Sequence, residues 1–139
     1  MTDAELREIL QTTKVIAVVG FSAKADRASH YVAAFLQAKG YRVIPVNPGL
    51  AGQSFLGETV FADLASIPAE IAVDMVDIFR APEAVPGIVD EALAHLPALR
   101  TVWMQLGVIS EEGAARARAA GKRVVMDRCP KMEIPRLGL

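Results

Sequence analysis

The chain has 139 residues, of which 53% are hydrophobic and 22% are charged, and its formal net charge is −1. This length corresponds to one domain, which buries roughly 70% of its unfolded surface without disulfides or metals. A net charge near zero provides no general attraction to nucleic acid or to an anionic membrane. Because Cys129 is the only cysteine, an internal disulfide is excluded and a reducing, cytoplasmic setting is expected.

The high hydrophobic content raises the question of membrane insertion. The longest apolar run covers residues 15–21, far fewer than the roughly 18 residues that a membrane-spanning helix requires. Strands that are buried on both faces also read as continuous Val and Ile runs, and we adopt that interpretation. The acidic residues Asp3, Glu5 and Glu8 argue against a signal or transit peptide. We therefore expect no membrane association.

Helix-like and strand-like patterns alternate along the chain. In chain order they predict a helix over residues 3–12, a strand over 15–19, a helix over 29–39, a strand over 42–46, a loop over 50–67 with one helical turn near Leu64, a strand over 71–79, a helix over 82–95, a strand over 101–105, a helix over 110–120 and a strand over 123–126. Residues 127–139 contain two prolines and no clear periodicity, so no element is predicted there.

The ends of the predicted helices carry recognisable signals. Thr2 and Glu5 have the spacing of a capping box. Ser29 and Ser110 are suited to cap the second and last helices, and Pro82 suits the first position of the third. These signals support the assignment of helices between the apolar strands.

Strands that alternate with helices specify an α/β fold of Rossmann-like, three-layer type, with a five-stranded parallel sheet. No repeat or linker divides residues 1–139, so a single domain is expected. We expect the strand order 3-2-1-4-5, in which the switch point lies between the first and fourth strands. Ligands of such sheets bind beyond the carboxyl ends of the strands at that point. The residues expected there are 20–24, 47–48, 79–80, 105–107 and 127–129.

The turn after the first strand has one of the three glycines of a dinucleotide-binding fingerprint. Gly20 ends the strand, but Ser22 and Ala25 stand where the second and third glycines would be. The Ser22 hydroxyl and the free N–H groups at the following helix start still suit an anion. A tight turn also needs a glycine for structure alone, so both interpretations stay open.

The charged residues after this turn suit phosphate groups but do not suit the ribose of NAD. No acidic residue occurs between Asp26 and Glu58, whereas NAD-binding folds need one about 20 residues past the first glycine to hold the ribose. Asn47 occupies that region instead. Lys24 and Arg27 lie close enough to the turn to reach phosphates, although a solvated loop is the ordinary alternative.

Several segments together resemble the small CoA-binding domain proteins and the CoA-binding domain of the succinyl-CoA synthetase alpha subunit. They are VVGFS at residues 18–22, Asp26 and Arg27 with Ser29, GYRVIPVNP at 40–48, VDIFR at 76–80, WMQLGV at 103–108 and VMDRCP at 125–130. The resemblance covers nearly the whole chain.

The resemblance implies a site for coenzyme A. The pyrophosphate would lie over residues 20–24, the adenosine near Asn47, and the pantetheine arm toward Gln105. The residues implied are Gly20, Phe21, Ser22, Lys24, Arg27, Ser29, Asn47, Pro48, Phe79 and Gln105. In the synthetase a basic residue follows the Asn-Pro pair, whereas Gly49 and Leu50 stand here, which weakens the expectation that a 3′-phosphate is recognised.

Three other residues call for an interpretation. Asp74 and Asp77 interrupt the third strand, and we interpret them as charges that keep an edge strand soluble. Cys129 follows the last strand near the expected crevice. A free cysteine is most often part of the core packing, and the alternative is a mixed disulfide with the thiol of CoA.

The sequence thus predicts non-catalytic binding of CoA or acyl-CoA, with no catalytic residue and no metal site. Two enzyme classes stay open, a nucleotide-dependent oxidoreductase and a partner subunit of an acyl-CoA ligase. The missing acid after the second strand disfavours the first, and the length of the chain disfavours the second. A Rossmann scaffold that serves only in assembly is a third alternative. The hydrophobic excess is compatible with a homodimer, although no segment identifies an interface.

Overall fold

Five parallel strands form a central sheet with helices on both faces. The computed structural model describes residues 1–139. The strands are β1 (Val15–Val19), β2 (Arg42–Val46), β3 (Ser54–Phe55), β4 (Glu58–Thr59), β5 (Met75–Ile78), β6 (Thr101–Met104) and β7 (Arg123–Val125). The helices are α1 (Asp3–Thr12), α2 (Ala28–Ala38), α3 (Val85–His95), α4 (Glu111–Ala119) and α5 (Pro130–Arg136). The Rossmann-like α/β fold predicted from the sequence is confirmed.

The two faces of the sheet bury two separate hydrophobic clusters. Along β1, Ala17 and Val19 belong to the cluster covered by α3 and α4. Ile16 and Val18 belong to the cluster covered by α1, α2 and α5. Both sides of the strand therefore require apolar side chains, which explains the continuous Val and Ile runs. None of the helices is both long and apolar enough to cross a membrane.

The order of the strands differs from the expected one in the position of β5. The observed order is β2-β1-β5-β6-β7, so the third long strand lies directly beside β1 instead of outside β2. In this register Ile16 pairs with Met75, and Val19 pairs with Ile78. Every residue of β5 is buried, and such a strand is more stable inside a sheet than at its edge. The correction moves the switch point from the first and fourth strands to the boundary of β1 and β5.

Two elements are not anticipated by the sequence patterns. The hairpin β3–β4 lies inside the predicted loop, and α5 lies in the tail; both are too short to show periodicity. In α5 the carboxylate of Glu133 bonds to Arg128 and Arg136, and Arg136 also reaches Asp3 of α1 at 3.0 Å. Burial by itself raises the pKa of Glu133, but these hydrogen bonds outweigh it and hold the pKa below its ordinary value. Ion pairs therefore help to hold α5 against the sheet.

The aspartates of the third strand have other roles than the one expected. The Asp74 carboxylate accepts hydrogen bonds from the N–H groups of Lys14 and Val15, the latter at 2.8 Å, and so caps the start of β1. Asp77 is fully buried beside Val18, and neither of its carboxylate oxygens has a hydrogen-bond partner. Burial raises the pKa of Asp77 well above its ordinary value. The edge-strand interpretation is wrong because β5 is an interior strand.

The stability of the variant Asp77→Asn relative to that of the wild type should increase as the pH rises. The unfolded carboxyl loses its proton near 3.8, whereas burial keeps the folded one protonated to a higher pH. Between the pKa of the unfolded carboxyl and that of the folded one, the unfolded state therefore binds fewer protons than the folded state. Within that pH range the wild type loses about 1.4 kcal/mol of stability for each unit by which the pH rises. We expect the free energy of unfolding of Asp77→Asn minus that of the wild type, from urea denaturation, to grow as the pH rises from 4.5 to 7, with a slope of up to about 1.4 kcal/mol per pH unit.

The surface variant Glu70→Gln serves as the control, since Glu70 is exposed. Its difference from the wild type should stay nearly constant over the same range. A flat difference for Asp77→Asn would show that Asp77 is ionised in the folded protein.

Candidate functional site

The carboxyl ends of β1 and β5 meet around Gly20. This residue has φ +89°, and a Cβ atom placed on it would lie 3.0 Å from Cδ of Arg80 and 3.2 Å from the carbonyl oxygen of Phe79. A glycine is therefore required both for the left-handed backbone and for the close approach of the segment after β5. The close approach brings Phe79 beside the first turn, where the sequence analysis expected a ligand.

The turn that follows β1 is held by hydrogen bonds to the end of β2 and within the turn itself. The N–H groups of Gly20 and Phe21 both donate to the Val46 carbonyl, at 3.0 and 3.1 Å. The Ser22 hydroxyl accepts the N–H of Lys24 at 3.2 Å. Phe21 itself is fully buried, so its side chain anchors the turn in the core. Of these residues, the predicted site residue Phe21 thus has a visible structural role.

His30 and Asn47 fix the same turn from neighbouring elements. Nδ1 of His30 lies 2.7 Å from the Ser22 carbonyl oxygen. The Asn47 amide donates to the Phe21 carbonyl at 2.7 Å and accepts the Gly49 N–H at 2.7 Å. The sequence analysis expected Asn47 to contact adenosine and did not single out His30. The sequence of the strand-to-helix turn gives no indication that a side chain eight residues after Ser22 contacts it.

The start of α2 presents open backbone donors. Arg27 occupies the N-cap position, and its side chain makes no capping hydrogen bond. The expected cap, Ser29, lies instead inside the first turn and is buried. The N–H groups of Ala28 and Ser29 have no backbone partner, so they lie at the positive end of the helix dipole. An anion placed here would receive both hydrogen bonds and a favourable field.

These donors face a cleft of about 250 Å³, which we call the phosphate cleft. It is lined by Gly20, Ser22, Arg27, Ala28, Ser29 and Phe79. Five of the ten site residues predicted from the sequence are thus brought together. Lys24 is exposed beside the cleft, and neither it nor Arg27 forms an ion pair within the protein.

A larger and mostly apolar cavity adjoins the phosphate cleft and shares Ala28 and Phe79 with it. We call it the apolar cavity. Its volume is about 420 Å³, and its lining consists of Ala28, Tyr31, Val32, Phe79, Gln105, Leu106, Val108, Cys129, Lys131 and Met132. Gln105, the predicted neighbour of a pantetheine arm, is only 6% exposed here. Basic residues and open N–H groups therefore lie next to an apolar cavity.

Pro48 lies apart from these two cavities, in a separate cleft of about 300 Å³ that also contains Gly20 and Arg80. Arg80 is exposed and has no ion-pair partner, although Asp63 and Glu91 line the same cleft. The sequence analysis placed residue 80 in the crevice but did not select it as a site residue. The expected strand order separated the third strand from the first, and only the observed β1–β5 pairing brings Arg80 against Gly20.

A family model described as a CoA binding domain matches residues 14–135 of the chain. The chain belongs to this CoA-binding domain family. The match spans β1 to α5 and so includes the phosphate cleft and the apolar cavity. The family expected from the sequence is confirmed.

Relatives of similar size share both sequence and fold. The protein YneT of Bacillus subtilis strain 168, described as uncharacterized, is 40% identical over 130 residues, which is 93% of this chain and 91% of that protein. A Thermus thermophilus protein of known structure has 39% identity and a TM-score of 0.90, with 99% of each chain covered. A hypothetical protein from Pyrococcus horikoshii OT3 has 33% identity and a TM-score of 0.90, over 100% of this chain and 94% of that one.

One larger enzyme shows the same fold as part of its structure. The dinucleotide-forming acetyl-coenzyme A synthetase 1 of Ca. Korarchaeum cryptofilum matches with a TM-score of 0.69 and 22% identity. The match covers 86% of this chain and 27% of the synthetase. At this identity the likeness concerns the fold alone.

Substituting Gly20 by Ala should destabilise the protein more than the same change at Gly52. Both glycines have a positive φ, +89° and +86°, so both variants carry left-handed strain of about 1–2 kcal/mol. Only at Gly20 does the new Cβ meet Arg80 and Phe79, whereas at Gly52 nothing lies within 4 Å. Overpacking should add about 1–3 kcal/mol to the loss at Gly20 in urea denaturation. Equal losses in the two variants would mean that the contact with Arg80 and Phe79 relaxes without cost.

Proposed function

We propose that this protein binds coenzyme A, free or acylated, without catalysing a reaction. The observation that carries the proposal is the crevice formed by two adjoining cavities, the phosphate cleft with its N–H donors and the apolar cavity beside it. CoA has the matching distribution of chemistry, with an anionic pyrophosphate in the middle and a long, weakly polar arm ending in a thiol. Membership of the CoA-binding domain family supports the same ligand.

The proposed orientation follows from the cleft chemistry. The pyrophosphate lies in the phosphate cleft, where it accepts hydrogen bonds from the N–H groups of Ala28 and Ser29 and charge-assisted contacts from Lys24 and Arg27. Phe79 borders both cavities and marks the point where the arm leaves the phosphates. The arm then continues into the apolar cavity toward Gln105.

Two alternatives predict different ligands or partners. A nucleotide-dependent oxidoreductase would need an acidic residue for the ribose after β2, and that place holds Asn47, whose amide is already engaged with the turn. A partner subunit of an acyl-CoA ligase is compatible with the likeness to the synthetase fold. It would bind CoA in the same crevice and would differ from a free-standing module in requiring a second chain. A cytoplasmic location remains the expectation for either.

Calorimetric titration with CoA, dephospho-CoA, NAD and ATP tests the proposal. We expect CoA to bind, and Lys24→Ala/Arg27→Ala to weaken it about 10- to 100-fold, because two charge-assisted contacts are lost. The matched control is Lys14→Ala/Arg100→Ala, which removes the same charge from two exposed positions. These residues directly precede β1 and β6, so they lie at the amino ends of the strands, away from the phosphate cleft. Binding of NAD in preference to CoA would favour the oxidoreductase, and turnover of acetyl-CoA would contradict a non-catalytic role.

Arg80 should determine whether the 3′-phosphate is recognised. It is the unpaired cation of the cleft that contains Pro48, on the side where the adenosine is proposed to lie. We expect Arg80→Gln to bring the ratio of CoA to dephospho-CoA affinity close to one, while dephospho-CoA affinity itself changes less than threefold. An unchanged ratio would assign the 3′-phosphate to solvent or to other cations such as Lys24.

A further inference from the structure

The apolar cavity contains a thiol that the proposed binding mode does not use. Cys129 follows β7, is free, and is 8% exposed. It is the chain's only cysteine, so no intramolecular disulfide competes for it. The cavity wall that includes Cys129 also includes Gln105. Cys129 also borders a second cleft of about 270 Å³ on the side of Met126 and Glu133, so the thiol adjoins two openings, and one of them is the cavity beside the phosphate cleft.

Hydrogen bonds hold the two loops of this wall together. The Asp127 carboxylate accepts the N–H of Gly107 at 2.7 Å, which ties the segment after β7 to the loop after β6. Nε1 of the buried Trp103 donates to the Arg128 carbonyl at 2.7 Å. Asp127 adopts φ +58°, an uncommon conformation for a residue other than glycine. These two bonds hold the residues just before Cys129 against β6 and against the loop that follows it.

Gln105 provides an independent indication of what occupies the cavity. Its side chain lines the chamber at 6% exposure, and its Oε1 atom has no hydrogen-bond partner. A buried acceptor without a donor destabilises the protein, so a donor supplied by a ligand would be favourable. The rest of the wall is mostly apolar, so the cavity suits a slender chain that carries an amide N–H along with methylene groups. A pantetheine arm has this chemistry and ends in a thiol.

We propose that Cys129 is a modification site that forms a mixed disulfide with CoA supplied as a CoA disulfide. This inference rests on the proposed binding of CoA in the crevice. The Cys129 thiolate attacks the CoA sulfur, a new S–S bond forms, and the original S–S bond breaks. The second thiol of the disulfide leaves as a thiolate and takes up the proton that Cys129 released. The exchange needs no further oxidant, because one disulfide replaces another.

The burial of Cys129 makes the reaction selective. A disulfide without a nucleotide lacks the pyrophosphate that the phosphate cleft is proposed to hold, so it reaches the thiol without that anchor. A CoA disulfide is first held by its phosphates, and this raises the effective concentration of its sulfur at the thiol. The reaction should therefore saturate with CoA disulfide and depend on residues of the phosphate cleft.

Intact-mass spectrometry of the reduced full-length protein tests the inference. Incubation with CoA disulfide should add one CoA-sized mass, located at Cys129 by peptide mapping and removed by dithiothreitol. Cys129→Ser and Cys129→Ala should show no adduct. At subsaturating CoA disulfide, Lys24→Ala/Arg27→Ala should slow adduct formation about tenfold, and Lys14→Ala/Arg100→Ala should not.

Glutathione disulfide at equal concentration provides the comparison for generic reactivity, and it should react at least tenfold more slowly. CoA binding without an adduct would overturn the modification and leave the proposed function intact. Equal rates with glutathione disulfide would also overturn it, because the selectivity would be absent. Failure of both calorimetric binding and adduct formation would overturn the proposed function together with the inference.

Discussion

The pairing of β5 with β1 is the constraint on which the site depends. It places Val19 opposite Ile78, so that the chain leaving each strand meets the other within contact distance at Gly20. No side chain beyond hydrogen fits there without displacing Arg80 or the backbone of Phe79. The same contact gives the phosphate cleft one of its walls. A single register therefore determines both the packing of the sheet centre and the shape of the crevice.

The crevice is built around polar groups that the fold leaves open. The first N–H groups of α2 lack a capping side chain, and Oε1 of Gln105 lacks a donor. The buried Gln105 acceptor costs stability in the free protein, and each open group matches a ligand that carries the missing partner. Asp77 differs from them, because it is buried in the sheet and lines neither cavity. The structure gives no account of a function for Asp77.

The matching proteins differ in whether this fold makes up nearly the whole chain or one part of a larger enzyme. Relatives with 33–40% identity extend over nearly the same length. In the synthetase the same fold is one part of a larger enzyme. A small domain with an open crevice is suited either to hold CoA alone or to present it to a second chain.

The alternating strands and helices could be predicted from the sequence, because buried strands and amphipathic helices each have a characteristic hydrophobic pattern. The sequence also identified the turn at Gly20 and the basic residues after it, since a helix start beside a strand end needs no distant contact. It could not decide which strand lies next to β1, nor find Arg80, His30 or α5. Strand order depends on which buried surfaces pack best in three dimensions, and this competition leaves no local pattern. The meeting of Gln105 with Cys129 in one cavity is likewise a property of the folded sheet alone, because the two residues come from different strand ends.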